Sequence, residues 1–244
     1  MTEDVAKLLG QRFVERRDVK AWEFANRWEP DRSPMTLKDI QQHLAGDRTL
    51  GHYMLSQENK TRLFAFDIDL RKTAYDAEDN EWSPRSAYAD KKDPRRSRLA
   101  IELMSMASGL AHRTHRLTDC HVAIALSGGK GLHVYCFTGS MPAAESRAVC
   151  HAILESYGCF APVRGENFWQ HDSAYPNIEI ETFPKQDVLD GKDLGNLMRL
   201  PLGVHRKTGV RSAFLRIPEE SERDRPFRKM AAIDALNGVL PWKN

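Results

Sequence analysis

Long apolar runs are missing from this chain. No stretch approaches the ~20 consecutive apolar residues that cross a bilayer, so nothing supports a membrane role. Cysteine is scarce, and Cys120, Cys136, Cys150 and Cys159 include no close CxxC pair, which removes the strongest zinc signature. No secretory signal opens the chain, and a reducing cytoplasm is the expected setting. A GxxxxGK[ST] loop is absent, which argues against a P-loop ATPase. Helicase motifs, internal repeats and low-complexity linkers are absent too. Neither sign of charge dominates: 36 Lys and Arg face 34 Asp and Glu, a net of +2. Composition therefore neither demands nor excludes a polyanionic partner, and charge placement has to decide.

With 244 residues, the chain is long enough to bury a sizeable core as one unit with two closely packed lobes. Val5, Leu8, Leu9, Phe13 and Val14 recur at helical spacing, and the segment from Glu3 to Trp28 reads as a packing helix. A break at Pro30 to Pro34 precedes a second helix from Thr36, striped by Leu37, Ile40 and Leu44. Tyr53-Met54-Leu55 and Arg62 to Leu70 read as two strands joined by a polar turn around Asn59-Lys60. Residues 71–98 form a polar, Pro-containing insertion expected to be a surface loop or flexible flap. A helix over Ser97 to Leu117 then feeds a hairpin of His121 to Leu126 and Leu132 to Phe137. A further helix spans Ala143 to Tyr157 with Gly158 closing it, followed by a strand from Ile178 to Phe183 and a final helix over Arg228 to Val239.

Chemistry concentrates at three of these elements. In the strand Phe64 to Leu70, the apolar Phe64, Phe66, Ile68 and Leu70 alternate with Ala65, Asp67 and Asp69, so both carboxylates share one face. Their Cα atoms lie about 6.5 Å apart in an extended strand, close enough to repel unless a cation lies between them. Hard carboxylate ligands favour Mg²⁺ or Mn²⁺ over zinc, in the two-ion arrangement used for phosphoryl transfer. The later strand repeats the pattern, with Glu179 and Glu181 on one face.

Between the hairpin strands, Ser127-Gly128-Gly129-Lys130-Gly131 lets backbone amides approach an anion closely while Lys130 adds a point charge. His133 emerges on the face of Tyr135 and Phe137, where it can be directed at the same anion as Ser127. From Arg199 to Arg216 the chain carries Arg199, His205, Arg206, Lys207, Arg211 and Arg216 without an acidic residue. These cations suit either an incoming triphosphate or a template backbone. Arg95, Arg96 and Arg98 make the insertion a candidate nucleic-acid contact, with a solvated face as the plainer reading. Cys150-His151, Cys159 and His171 offer a loose zinc pattern, against which buried thiols and surface histidines are the preferred reading.

The order DxD, then SGGKGLH, then an acidic strand resembles the archaeo-eukaryotic primase superfamily, over about Tyr53 to Gly209. The resemblance is strongest to compact bacterial and phage primase-polymerases, including those found near defence or CRISPR systems. It is carried further by Glu181-Thr182-Phe183-Pro184-Lys185-Gln186 and by the run Gly195-Asn196-Leu197-Met198-Arg199-Leu200-Pro201-Leu202-Gly203-Val204-His205-Arg206-Lys207-Thr208-Gly209. What the resemblance implies is an α+β fold, an RRM-like sheet with a second αβ lobe and the active site in the cleft between them. It also implies that Asp67, Asp69 and Glu181 hold two Mg²⁺ or Mn²⁺ ions. Ser127, Gly128, Lys130, His133, Arg199, His205 and Lys207 would bind the nucleotide, while Arg95, Arg96, Arg206 and Arg211 are candidates for nucleic acid. Expected partners are a single-stranded DNA template, a primer and NTP or dNTP substrates, with a helicase or another replication or defence protein on a separate chain. Gap-filling repair synthesis, a metal-dependent nuclease and an inactive binding module stand as the competing readings.

Overall fold

The computed structural model describes residues 3–24, 27–161, 167–171, 174–191, 194–217 and 227–241. Among them, helices pack on two antiparallel sheets. The larger sheet is built around four strands: β4 (Lys60–Leu70), β7 (His121–Leu126), β8 (Gly131–Pro142) and β11 (Ile178–Phe183). β9 (Cys159–Phe160) and β10 (Phe168–His171) extend it on one side, and β13 (Phe214–Arg216) and β14 (Arg228–Lys229) on the other. The spatial order is β14-β13-β7-β8-β4-β11-β10-β9. The smaller sheet has the order β12-β3-β1-β2, from β1 (Lys20–Phe24), β2 (Arg27–Asp31), β3 (Leu50–Tyr53) and β12 (Leu197–Arg199).

Alternation along the strands gives the larger sheet two different faces. Phe64, Phe66, Ile68 and Leu70 join Val134, Cys136, Ile178 and Ile180 in one core. That core is covered by α4 (Arg96–Thr118) through Leu103, Met106 and Leu110, and by α5 (Ala143–Ser156) through Ile153 and Leu154. On the opposite face Leu63, Ala65, Tyr135 and Phe137 pack with Leu9 and Phe13 of α1 (Glu3–Phe13), Ile40 and Leu44 of α2 (Leu37–Ala45), and Leu236 of α6 (Ala232–Asn237). Trp22, Leu50 and Met198 of the smaller sheet enter this same core, which joins the two sheets. Beyond Ala65 the face turns acidic at Asp67 and Asp69.

Several elements stand where their spacing placed them. β7 and β11 match the read spans, α2 starts at a Thr36–Asp39 capping box, and Gly158 follows α5 with φ of 82°. The opening segment differs. α1 stops at Phe13, and Lys20–Phe24 and Arg27–Asp31 pair as antiparallel β1 and β2, with Trp22 opposite Glu29. Past Val14 the apolar period changes from helical to alternating, and Pro30, unable to donate to a ladder, sits exposed on the edge strand. The turn at Asn59 exists, with φ of 57°. The strands flanking it do not pair, because β3 lies between β1 and β12 in the other sheet.

The 71–98 segment is a folded element instead of a loop. β5 (Ala74–Tyr75) and β6 (Glu81–Trp82) form a ribbon, and α3 (Pro84–Ala89) follows from an N-cap at Ser83. Buried Ala87 and half-buried Trp82 and Tyr88 dock it on the α4 core. At the other end, the predicted helix from Arg228 begins as strand β14 and becomes helical only at Ala232.

Candidate active site

The order β8-β4-β11 puts the three motifs side by side. In register, His133 faces Asp67, which faces Glu181; one rung along, Gly131 faces Asp69, which faces Glu179. Two rows therefore cross three strands on one sheet face. The sequence places all four carboxylates on strand faces, and pairing alone makes them neighbours.

Each carboxylate is met by a cationic or hydrogen-bonding side chain. His133 Nε2 lies 3.3 Å from Asp67 Oδ1, and its Nδ1 lies 2.7 Å from the Tyr135 hydroxyl. Burial, reinforced by the Asp67 charge, holds Tyr135 protonated far above the phenol range. The two ring nitrogens are thus held between the Tyr135 hydroxyl on one side and the Asp67 carboxylate on the other. Lys185 pairs with Glu181. Arg85, from α3, bridges Asp69 at 3.0 Å and Glu179 at 2.8 Å and donates from Nε to the Leu70 carbonyl.

Burial and unequal neighbours separate the two aspartates electrostatically. Burial pushes Asp69 up to about 6, helped by the Asp67 charge and opposed by Arg85. Burial also works to raise Asp67, but His133, Lys185 and Arg199 prevail and hold it below the usual carboxylate range. Glu181 is raised, chiefly by burial, against the pull of Lys185. Among the described residues no three His, Cys, Asp or Glu side chains converge as a ready metal site; the carboxylates are turned toward these cations.

The glycine turn adjoins the acidic rows. Ser127 Oγ accepts from the Gly129 and Gly131 amides at 3.1 and 3.3 Å, which shapes the turn and leaves its own proton available. Gly128, at φ of 80°, tolerates this backbone as an L-residue would not. A Cβ there would lie 2.9 Å from His205 Cβ, and the Thr208 hydroxyl donates to its carbonyl, so the basic segment is packed onto the turn. Lys130 Nζ donates to the Arg85 carbonyl at 3.2 Å. A Cβ at Gly131 would fall 2.2 Å from Asp69 Oδ1 and 2.3 Å from the Ile68 carbonyl. Only glycine lets Asp69 lie over β8 in this way.

Arg199 belongs to the smaller sheet yet lies near enough to Asp67 to lower its pKa. Glu23 grips it through Nε at 3.0 Å and Nη2 at 2.6 Å, and its guanidinium lies 5.5 Å from the Trp28 ring centre. Burial and the Arg199 charge keep His205 below its ordinary pKa. Lys207 is exposed beside them.

Other expected residues lie elsewhere. Arg211 donates to the carbonyls of Leu44, Ala45 and Leu202, and Arg206 to that of Gly46, so both close the end of α2. Arg95 pairs with Asp93 and stacks on Trp82, and Arg96 bonds the Tyr88 carbonyl; both stay solvent-facing. Cys150 is buried in the α4–α5 core, whereas Cys159 faces His171 across β9–β10. Burial pushes the Cys159 thiol up to about 12. Residues missed in the sequence are Arg85, Glu23, Tyr135 and Lys185. Of these, only Lys185 carried a signal, through its place in the Glu181 to Gln186 run.

No curated protein matches the chain. One family model, described as the archaeo-eukaryotic primase domain of the TOTE conflict system, matches residues 7–237, a span that includes every residue of both acidic rows, the glycine turn and the basic segment. The chain therefore belongs to the archaeo-eukaryotic primase domain family of TOTE conflict systems.

Proposed function

We propose that this primase-family chain is a DNA primase-polymerase that joins nucleotides on a single-stranded DNA template, with NTPs or dNTPs as substrates. The observation that carries the reading is the register of β8, β4 and β11, which sets His133, Asp67 and Glu181 in one row beside the Ser127–Gly131 turn. In the reaction a 3′-hydroxyl, or the hydroxyl of an initiating nucleotide, forms a bond to the α-phosphate of the incoming triphosphate. The bond between the α- and β-phosphates breaks, and pyrophosphate leaves.

Asp67, Asp69 and Glu181 would hold Mg²⁺ or Mn²⁺. Their oxygen donors are hard, and the burial and neighbouring Asp67 charge that push Asp69 up to about 6 are offset by added positive charge. When bound, such ions lower the pKa of the attacking hydroxyl and stabilise charge on the leaving phosphates. The chain's own residues bind and orient. Ser127 and Lys130 receive the β- and γ-phosphates, and His133, its ring oriented by Tyr135, presents Nε2 at the boundary between phosphate and Asp67. Glu23 holds the Arg199 fork, and His205 and Lys207 complete the basic rim. The RRM-like core with a cleft between two lobes, together with a helicase or defence partner on another chain, accompanies this reading.

Primer-free synthesis on single-stranded DNA tests it, with ribo- and deoxynucleotides supplied separately and Mg²⁺ or Mn²⁺ present. New strands are expected. Extension only from an added primer would move the reading to gap-filling synthesis. Strand degradation without incorporation would mean a nuclease, and template binding without either reaction a binding module.

A further inference from the structure

Arg85, outside the motifs, reaches several parts of the site. Its Nη2 bridges Asp69 and Glu179, its Nε donates to the Leu70 carbonyl at the end of β4, and its own carbonyl accepts from Lys130. Its amide donates to the Arg71 carbonyl at 3.3 Å, which closes the ribbon-and-helix segment back on its root. A planar fork that satisfies two carboxylates and a carbonyl at once has few rotamers left to it. The side chain is 24% exposed and Glu179 23%, so this bridge is only partly screened by water. Glu179 has Arg85 as its ion-pair partner, whereas Asp67 and Glu181 of the neighbouring row face His133 and Lys185.

We propose that Arg85 is the resident counter-cation of the second carboxylate row. It pairs Glu179 and one oxygen of Asp69, leaves divalent ions to Asp67, Asp69 and Glu181, and ties the 71–95 segment to the phosphate-binding turn. The polar insertion thus becomes a wall of the nucleotide site, and Arg85 a positioning residue. The inference rests on the proposed metal-holding role of Asp67 and Asp69 and adds that Glu179 is not a ligand.

Mn²⁺ titration of the full chain without nucleotide, read by the electron paramagnetic resonance of free Mn²⁺, tests this independently of activity. Arg85→Met should tighten Mn²⁺ about five- to tenfold by removing a nearby positive charge and freeing Glu179. Glu179→Gln alone should weaken it modestly, and the charge-balanced Arg85→Met, Glu179→Gln pair should return to within about threefold of wild type. A pair tenfold or more weaker than wild type would make Glu179 a ligand and overturn the proposal, as would an Arg85→Met chain that binds no tighter. The Asp67→Ala, Asp69→Ala chain separates the two ideas: if it binds Mn²⁺ as wild type does, the metal reading itself fails and takes the proposal with it. Hydrogen exchange gives a second readout. Arg85→Lys keeps the charge but loses the fork, so residues 71–95 should exchange faster, and unchanged protection would overturn the tie even if Arg85→Met did not fold.

Discussion

Replacing Gly131 with alanine adds one methyl group where β8 passes Asp69. That carbon would lie 2.2 Å from Asp69 Oδ1 and 2.3 Å from the Ile68 carbonyl oxygen. Carbon and oxygen rest about 3.3 Å apart at their closest comfortable approach, so the overlap is roughly 1 Å at both atoms. The carboxylate can rotate away, but the carbonyl is part of the β4 backbone, so the β4–β8 rung must open. Overpacking of this kind costs about 1–3 kcal/mol, and a 1 Å displacement of a reacting group costs on the order of 100-fold in rate. We expect Gly131→Ala to lower kcat/KM for nucleotide incorporation by about that factor and to lower the urea midpoint. Gly129→Ala is the internal control: its Cβ would make only ordinary contacts, 3.5 Å from Ser127 Oγ and 3.6 Å from His205 Nε2, and its urea midpoint should stay at the wild-type value. A Gly131→Ala chain with wild-type incorporation and midpoint would refute the placement of Asp69 against β8.

His52 is fully buried, neither ring nitrogen has a hydrogen-bond partner among the described residues, and burial pushes its pKa down to about 3 from 6.5. Below pH 6.5 the unfolded chain takes up a proton that the folded chain refuses, so stability falls as pH falls, by about 1.4 kcal/mol per pH unit or about 3 kcal/mol by pH 4. His52→Leu should be at least as stable as wild type at pH 7.5 and should lose this part of the acid sensitivity in urea titrations; parallel wild-type and variant curves from pH 7 to 4 would contradict the buried neutral ring. Asp69, raised to about 6, stabilises with the opposite sign as pH falls, but it does so in both chains and cancels in the comparison. Glu23→Gln weakens the grip on Arg199, whose partner is only 8% exposed. Losing one charge of such a pair should raise KM for the nucleotide about fivefold with a smaller change in kcat, and an unchanged KM would remove Arg199 from the binding site.

The parts of the fold that were legible in the sequence are those set by local rules. Alternation marks β4 and β11, a short apolar run marks β7, the Thr36–Asp39 box starts α2, and Gly158 in left-handed backbone follows α5. Long-range pairing was not legible. Nothing near Tyr53 says that β3 joins β1 and β12, and nothing in either acidic strand says that β4 lies between β8 and β11. Reading Glu3 to Trp28 as one helix hid the strand face that carries Glu23. Arg85 was hidden for a related reason, since its reach to Asp69 and Glu179 depends on a ribbon and a six-residue helix that a polar, Pro-containing stretch does not announce. Arg211 shows the converse: a basic run looks like a phosphate site until backbone carbonyls of α2 take up its guanidinium.

The central claim is that Asp67 and Asp69, set beside Glu181 and the glycine turn, transfer nucleotidyl groups. Pyrophosphate release coupled to incorporation of an α-phosphate-labelled nucleotide on single-stranded DNA, with Mn²⁺ or Mg²⁺ supplied, tests it most directly. The wild-type chain should release one pyrophosphate per label incorporated, and the Asp67→Ala, Asp69→Ala chain, folded by circular dichroism, should do neither. Equal incorporation by both chains would contradict the account.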